Sequence, residues 1–240
     1  MLILGHRGAS KAAPENTLSA FDLAIHQGAD GVEFDTMEVD NHLIVFHDRW
    51  LERTTDGEGL VADKSIEYLR SLDAGNGEPI PFLIEVMKML PHNCVCNVEI
   101  KHISNIDNWL KHFDHAIESS GFPLENIIVS SFNHHWLKQL SRKRPDLKLG
   151  ILTAAVLENC HDLVDTMNAY SFHVDLEVVS KEYIEELKTL NAKVMIFTVD
   201  KVEDMRMLSG WGVDGIFTNV PDKAREALGK CEMYQFADAR

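Results

Sequence analysis

The 240-residue sequence is poor in cysteine and in basic residues, and it contains no long apolar run. Its four cysteines form no C-x-x-C pair, so a zinc knuckle is not expected, and outside a secretory context they are expected to be reduced thiols. No stretch approaches the roughly 18 apolar residues that span a bilayer. The N-terminus lacks the basic and apolar segments of a signal peptide. We therefore expect a cytoplasmic protein without stable membrane insertion.

Positive charge is scarce: 23 Lys and Arg residues stand against 38 Asp and Glu residues, which gives a net charge of −15. Nucleic acids and anionic membrane surfaces need a basic footprint, so neither is an expected partner. An anionic small-molecule substrate would have to be met by a local cationic site or by a metal. The sequence does not determine the oligomeric state, and a homodimer is one assembly compatible with it.

What the sequence does contain is a regular alternation of strand-like and helix-like segments. Such alternation predicts a parallel sheet. Eight pairs in 240 residues favour a single (β/α)8 TIM barrel spanning residues 1–240 over an open doubly wound sheet. The predicted barrel strands cover residues 1–6, 31–39, 94–100, 127–131, 148–152, 169–174, 193–198 and 215–218.

One region interrupts the alternation after the second strand. Residues 43–47 are extended and close enough to the second strand to form a hairpin arm. Residues 48–81 then contain several glycine-rich turns and one short predicted helix near 65–72. Long irregular segments of this kind are often lids or binding loops. We expect 48–81 to be a small inserted lid or cap over one end of the barrel.

The first strand ends in an abrupt turn that carries His6 and Arg7 between two glycines. Histidine is the side chain whose pKa lies nearest neutrality, and arginine presents a planar fork that matches an oxyanion. The pair suggests acid–base chemistry on a phosphate or carboxylate. The alternative is a capped turn with a surface arginine.

Three carboxylates are predicted to converge at the mouth of the barrel. Alternation along the second strand places Glu33 and Asp35 on one face, and the third strand places Glu99 and Lys101 likewise. Unpartnered buried carboxylates repel, and oxygen ligands favour Mg²⁺ or Ca²⁺. The alternative is a salt-bridged polar core without metal, in which Lys101 and Arg7 neutralise the acids.

A second histidine closes the hairpin arm. If the arm leans over the second strand, His47 faces the same mouth as His6, and two histidines that flank one site can act as general base and general acid. The alternative for His47 is an ordinary loop histidine. The role of His173 stays open, because the pattern does not fix the direction of its strand.

Taken together, these motifs resemble the glycerophosphodiester phosphodiesterase family over essentially the whole chain. Two departures from the family pattern are Asn41-His42, in place of a frequent glycine turn, and Phe197, in place of a common Trp. The aromatic ring of Phe197 could pack on a glycerol face or be a core residue. The matching motifs are Gly5-His-Arg-Gly-Ala9, Pro14-Glu-Asn-Thr17, Ala20-Phe21, Gly28-Ala-Asp30, Glu33-x-Asp35, Val45-x-His-Asp48, Leu51-x-Arg-Thr-Thr55, Gly57-x-Gly59, Glu99-Ile-Lys101, Ser130-Ser-Phe-Asn133, Thr198-Val-Asp200, Asp214-Gly-Ile216, Thr218 and Pro221-Asp222.

The resemblance implies metal-dependent hydrolysis of glycerophosphodiesters, such as glycerophosphocholine or glycerophosphoethanolamine, to sn-glycerol 3-phosphate and an alcohol. The nucleophile is either the glycerol 2-hydroxyl or water. Two other functions compete: phospholipase D-like or lysophospholipase D activity on the same barrel, and non-catalytic binding, which would need no acid–base pair. The family resemblance implies acid–base catalysis by His6 and His47, phosphate binding by Arg7 and Lys101, and metal ligation by Glu33, Asp35 and Glu99.

Overall fold

The computed structural model describes residues 1–229 and contains a closed parallel barrel. Each barrel strand pairs with its neighbours, and the first strand of the chain pairs with both the second and the last, which closes the ring. The third strand of the chain lies outside the ring, antiparallel to the second. The predicted TIM barrel with an insertion after its second strand is thus confirmed. The strands are β1 (Leu2–His6), β2 (Gly31–Val39), β3 (His42–Val45), β4 (Val95–His102), β5 (Ile127–Ser131), β6 (Lys148–Thr153), β7 (Ser171–Asp175), β8 (Lys193–Phe197) and β9 (Gly215–Thr218).

Helices cover the outside of the barrel, and several begin at polar caps. Thr17, for example, accepts a hydrogen bond from the Ala20 amide at the start of the first helix, Leu18–His26. The helix after β6 begins at Cys160, and upstream of it the Leu157 amide donates to the Tyr183 hydroxyl. The helices are α1 (Leu18–His26), α2 (Ile66–Ser71), α3 (Leu83–Met89), α4 (Ile106–Ser120), α5 (His134–Lys143), α6 (Cys160–Met167), α7 (Lys181–Leu187), α8 (Val202–Gly210) and α9 (Pro221–Ala227).

Two apolar layers position the site. The larger layer lies between sheet and helices and includes Val32 and Phe34 on β2, which alternate with Glu33 and Asp35. A smaller cluster fills the inside of the barrel and includes Leu2 and Leu4. These two share the inward face of β1 with His6, so apolar side chains close the barrel below a polar mouth. Burying each large apolar side chain contributes about 1.5–3 kcal/mol.

The inserted segment, residues 48–81, has a small core of its own. Leu51, Val61, Leu69 and Ile80 pack there with β2–β3 residues such as Ile44. The predicted short helix is α2, and a 3-10 turn at Val61–Asp63 precedes it. The segment is therefore anchored by apolar packing against the hairpin. Within residues 1–229 no helix is both long and apolar enough to cross a bilayer.

Candidate active site

The turn after β1 is held in an unusual backbone conformation. Arg7 has φ 56° and Gly8 has φ 84°. A Cβ atom on Gly8 would lie 2.5 Å from the backbone carbon of Ala20, so only glycine fits there. The Arg7 amide donates to the Glu33 carbonyl at 2.9 Å and lies 3.0 Å from Glu33 Oε2. These contacts stabilise a left-handed arginine and direct His6 and Arg7 into the same cavity.

That cavity lies at the carboxyl ends of the barrel strands and has a volume of about 250 Å³. It has two unlike sides, and Asn97 and Thr198 complete the lining. The charged half, which comes from β1, β2, β4 and the end of the hairpin arm, consists of His6, Arg7, Glu33, His47, Glu99 and Lys101. The aromatic half, which comes from β5 to β9, consists of Phe132, Leu152, His173, Asp175, Phe197 and Phe217.

Three buried carboxylates form the centre of the charged half. Glu33, Asp35 and Glu99 each offer an oxygen within 4.8 Å of the others. Burial, with the negative charges of Asp35 and Glu99, raises the pKa of Glu33 well above its usual value. Burial and Asp35 likewise raise the pKa of Glu99 to about 7. A hard divalent cation is the group that an all-oxygen cluster of this kind accommodates, so these three residues could hold a metal ion.

The two cations of the charged half only partly neutralise these acids. Arg7 Nε lies 3.2 Å from Asp35, and Lys101 Nζ lies 3.0 Å from Glu99 and 3.8 Å from Asp35. Burial opposes ionisation of Asp35, but Arg7 is the first of several groups that together lower its pKa. The salt-bridged core considered from the sequence thus exists for Asp35 and Glu99.

Glu33 is the acid that these ion pairs leave out. Its Oε1 atom is buried and has no hydrogen-bond partner among residues 1–229. The ion-pair partner found in that range is His6, at 4.0 Å. Burial and the adjacent Arg7 lower the pKa of His6 to about 4, so this imidazole is neutral at pH 7. Glu33 is therefore the one acid of the cluster that no Arg or Lys side chain of residues 1–229 pairs with, which fits a metal ion better than a closed salt bridge.

His6 is oriented by a relay from the last barrel strand. The Asn219 side chain donates through Nδ2 to Asp200 Oδ2 at 2.7 Å, and its backbone amide donates to Asp200 Oδ1 at 2.8 Å. This fixes the amide, so Asn219 Oδ1 accepts from His6 Nδ1 at 2.8 Å. The Nε2 atom of His6 is left as the basic nitrogen, directed toward Glu33.

His47 is oriented by residues of the inserted segment. Its Nδ1 lies 2.5 Å from Asp48 Oδ1, and Lys101 Nζ lies 3.1 Å from its Nε2. Because Lys101 only donates, Nδ1 carries the proton toward Asp48. Arg53 in turn binds Asp48 and also Glu15, at 2.8 Å. The predicted approach of His47 to the mouth is thus present in the geometry.

The aromatic half contains both residues that the sequence left open. His173 faces the barrel interior, with Nε2 2.7 Å from Ser171 Oγ, while its buried Nδ1 lacks a hydrogen-bond partner within the described chain. Burial lowers its pKa to about 3. Phe197 lies at the cavity rather than in the core, and its ring meets that of Phe132 edge to face at 5.8 Å.

The structure brings together the residues singled out from the sequence, and it adds some that were missed. Asn219, Asp200, Glu15, Asp48 and Arg53 hold the histidines and Arg7 but received no role. Most of them lie inside the family motifs, which could have indicated them. Asn219 directly follows β9, and active-site residues of such barrels lie at the carboxyl ends of the strands, so its position could have indicated it. The residues brought together are His6, Arg7, Glu33, Asp35, His47, Glu99 and Lys101.

Comparison with known proteins gives one consistent result. The model of the "Glycerophosphoryl diester phosphodiesterase family" matches residues 6–223. A "Glycerophosphodiester phosphodiesterase" of Caldanaerobacter subterraneus subsp. tengcongensis is 38% identical over 231 residues, which are 92% of this chain and 95% of that protein. One of Bacillus altitudinis is 32% identical, over 92% and 96% of the two chains.

A solved structure of an Oleispira antarctica phosphodiesterase, in complex with the product sn-glycerol-3-phosphate, superposes with a TM-score of 0.90. The two chains are 27% identical, and the match covers 96% of this chain and 97% of the other. The fold, the order of the motifs and these matches agree over nearly the full length. The chain therefore belongs to the glycerophosphoryl diester phosphodiesterase family.

Proposed function

We propose that this protein hydrolyses glycerophosphodiesters to sn-glycerol 3-phosphate and an alcohol. The observation that carries the proposal is that His6 and His47 both present Nε2 beside one cluster of three buried acids. Binding alone would need neither histidine in this arrangement. Family membership and the product bound in the Oleispira antarctica structure support the same reaction.

We propose one divalent cation, Mg²⁺ or Ca²⁺, held by Glu33, Asp35 and Glu99. The unpartnered Glu33 oxygen and the all-carboxylate donor set support this assignment. When bound, such a cation would stabilise negative charge that builds up on the phosphate oxygens.

The cations of the protein would complete phosphate binding. Arg7 offers a planar fork, and Lys101 offers a mobile point charge; both are already at the edge of the acid cluster. Before substrate binds, both cations form ion pairs with carboxylates of the cluster. A phosphodiester monoanion would compete for the same donors and so be oriented between the two histidines.

Proton transfer would belong to the two histidines. One Nε2 would take the proton of the nucleophile, and the other ring, protonated on both nitrogens when the step begins, would give its Nε2 proton to the leaving alkoxide. The Asn219 and Asp48 contacts keep both Nδ1 atoms occupied, so each ring acts through Nε2. The nucleophile is either the 2-hydroxyl of the glycerol, which gives a cyclic phosphate, or water.

The direct test uses the full chain, stripped with chelator and then supplied with Mg²⁺ or Ca²⁺. Phosphorus NMR of glycerophosphocholine should show sn-glycerol 3-phosphate, and a transient cyclic phosphate would identify the 2-hydroxyl as nucleophile. Lysophosphatidylcholine is the comparator for lysophospholipase D activity. Absence of glycerol 3-phosphate with either metal, or faster turnover of the lysolipid, would reject the proposal.

We propose in addition that residues 1–240 act as one catalytic domain, in which 48–81 caps one edge of the cavity through Asp48 and Arg53. A cytoplasmic location is proposed because Cys94, Cys96 and Cys160 are buried free thiols. Cell fractionation tests the location. Light scattering of the purified chain tests whether the homodimer compatible with the sequence forms.

A further inference from the structure

A second group of titratable side chains lies outside the barrel, on a surface that the proposed reaction does not use. His42, at the start of β3, and His112 and His115, on α4, line one groove of about 170 Å³. Three of the twelve histidines of the chain therefore share one small surface feature. The apolar residues that line the same groove are Leu43, Phe82, Leu83, Ile84 and Ala116.

We propose that this groove binds a divalent transition-metal ion such as Zn²⁺, with His42, His112 and His115 as its ligands. Imidazole nitrogens favour zinc, copper and nickel, whereas the carboxylate cluster in the barrel favours Mg²⁺ or Ca²⁺. The two sites thus select different ions. The bound ion joins the start of the hairpin arm to α4, and the inference is independent of the proposed reaction.

His42 already has the hydrogen bond that orients a metal-binding histidine. Its Nδ1 donates to the Asp40 carbonyl at 2.7 Å, so the ring proton is on Nδ1 and the lone pair of Nε2 is available to a metal. The ring also packs on Phe82, with centroids 5.4 Å apart. His42 belongs to the turn at which this chain departs from the frequent glycine turn of the family. The site is therefore argued from a feature of this chain and not from the family pattern.

The two helical histidines are three residues apart, a spacing that places both on one face of α4. His112 is partly buried, and its Nε2 atom is buried without a hydrogen-bond partner among residues 1–229. Metal binding would break no hydrogen bond of this atom and would supply the partner that it lacks. His115 is exposed, and its Nδ1 lies 3.5 Å from Ser119 Oγ, a contact too long to hold the ring firmly.

The surroundings keep His112 neutral, which is the form that binds a metal. Burial is the first cause that lowers its pKa; Glu38 opposes this shift, while Lys111 and the other two histidines of the groove add to it. Lys111 also repels a cation, but Glu38 and the net charge of −15 attract one.

The three imidazoles are spread along the groove and converge only when side chains rotate. Among residues 1–229, the three-ligand group whose donor atoms lie within 4.8 Å of one another is the acid cluster of the barrel. His42 can keep its hydrogen bond to Asp40 while His112 and His115 turn toward it, and exposed side chains such as His115 change rotamer rapidly. Metal binding therefore orders His115.

The test uses the full chain with Mg²⁺ in excess, so that the acid cluster is supplied with its own ion. Calorimetric titration with Zn²⁺ should show one ion bound per chain. His42→Ala and His112→Ala should each weaken this binding at least about tenfold, the lower end of the loss when a partner of a metal-binding histidine is removed. His135→Ala is the matched control, because His135 is an exposed helical histidine outside the groove. Absence of Zn²⁺ binding, or equal affinity in all four proteins, would overturn the proposal.

A second measurement keeps the proposal testable if either alanine variant does not fold. Zn²⁺ should raise the melting temperature of the unaltered protein, because an ion that binds only the folded chain stabilises it by mass action. The rise should be smaller in His115→Gln, which changes one exposed side chain, and unchanged in His135→Gln. Equal rises in both variants would show that Zn²⁺ binds elsewhere and would overturn the proposal. Neither measurement uses diester hydrolysis, so failure of the proposed function leaves both readable.

Discussion

The two halves of the cavity are built from different stretches of chain and by different kinds of contact. The charged half comes from the first 101 residues and is tied together by ion pairs that reach Glu15 and Arg53. The aromatic half comes from residues after 131 and is held mainly by ring packing. Hydrogen bonds and ion pairs hold the side chains of the charged half in place, whereas packing of rings holds those of the aromatic half.

The proposed reaction draws on the charged half, which holds the groups for metal, phosphate and proton transfer. Changes in the charged half should lower turnover of every diester by the same factor, because all of them share the phosphate.

Metal removal should have the largest effect. We expect chelation to reduce hydrolysis of all diesters to background, and Mg²⁺ or Ca²⁺ to restore it, because the phosphate would otherwise lack the cation that stabilises its negative charge. Glu99→Gln should weaken metal binding, measured by calorimetry on the stripped protein, whereas Glu177→Gln should not. Full activity in excess chelator would contradict the assignment of the three acids.

Loss of either histidine should follow in size. His6→Ala or His47→Ala should lower kcat about 10²–10⁴-fold, the usual contribution of a positioned acid–base group. The loss should be equal for charged and uncharged alcohols. His26→Ala is the matched control, since His26 is exposed on the last turn of α1. Near-normal turnover in either variant would remove that histidine from the proposed pair.

Removing the hydrogen bond from His6 to Asn219 should lower turnover by an intermediate factor. Asn219→Ala leaves His6 Nδ1 without its acceptor, and we expect kcat to fall roughly 10–100-fold, as for other groups that orient a functional histidine. The value of KM and the melting temperature should change little, which distinguishes positioning from folding. Asn191→Ala, at an exposed asparagine, is the control. A rise in KM with unchanged kcat would show that Asn219 acts on binding instead.

The smallest effect concerns stability in acid. His173 has a pKa of about 3 in the fold and about 6.5 when unfolded. Above pH 6.5 neither state is protonated; below it only the unfolded state gains the proton, so the free energy of unfolding falls as pH falls. His173→Gln should abolish this part, about 2 kcal/mol at pH 5, measured by urea titration of the metal-free protein at pH 7.5 and 5. His26→Gln should leave the pH dependence of the free energy of unfolding unchanged. The prediction would be contradicted if His173→Gln lost as much stability between pH 7.5 and 5 as the unaltered protein does.

Local patterns predicted the barrel and the charged half well. Period-two alternation placed Glu33, Asp35 and Glu99 inside, because one face of each strand is apolar and must meet the helices. The relay through Asn219 was beyond such reasoning, since His6 and Asn219 are 213 positions apart and meet only when the ring of strands closes. The direction of His173 was equally out of reach, because β7 is short and its neighbours Phe172 and Val174 suit either layer.

The inserted segment makes the stability of the His47 side of the site differ from that of the barrel. Its small core around Leu51 and Leu69 is separate from the two barrel layers, yet Asp48 and Arg53 in it orient His47 and brace Glu15. A unit with so little buried surface opens at lower free energy than the barrel that it covers. Warming should therefore detach His47 from its partners while the strands stay protected against hydrogen exchange. The upper temperature for turnover would then be set by the opening of this segment and lie below the melting temperature of the barrel.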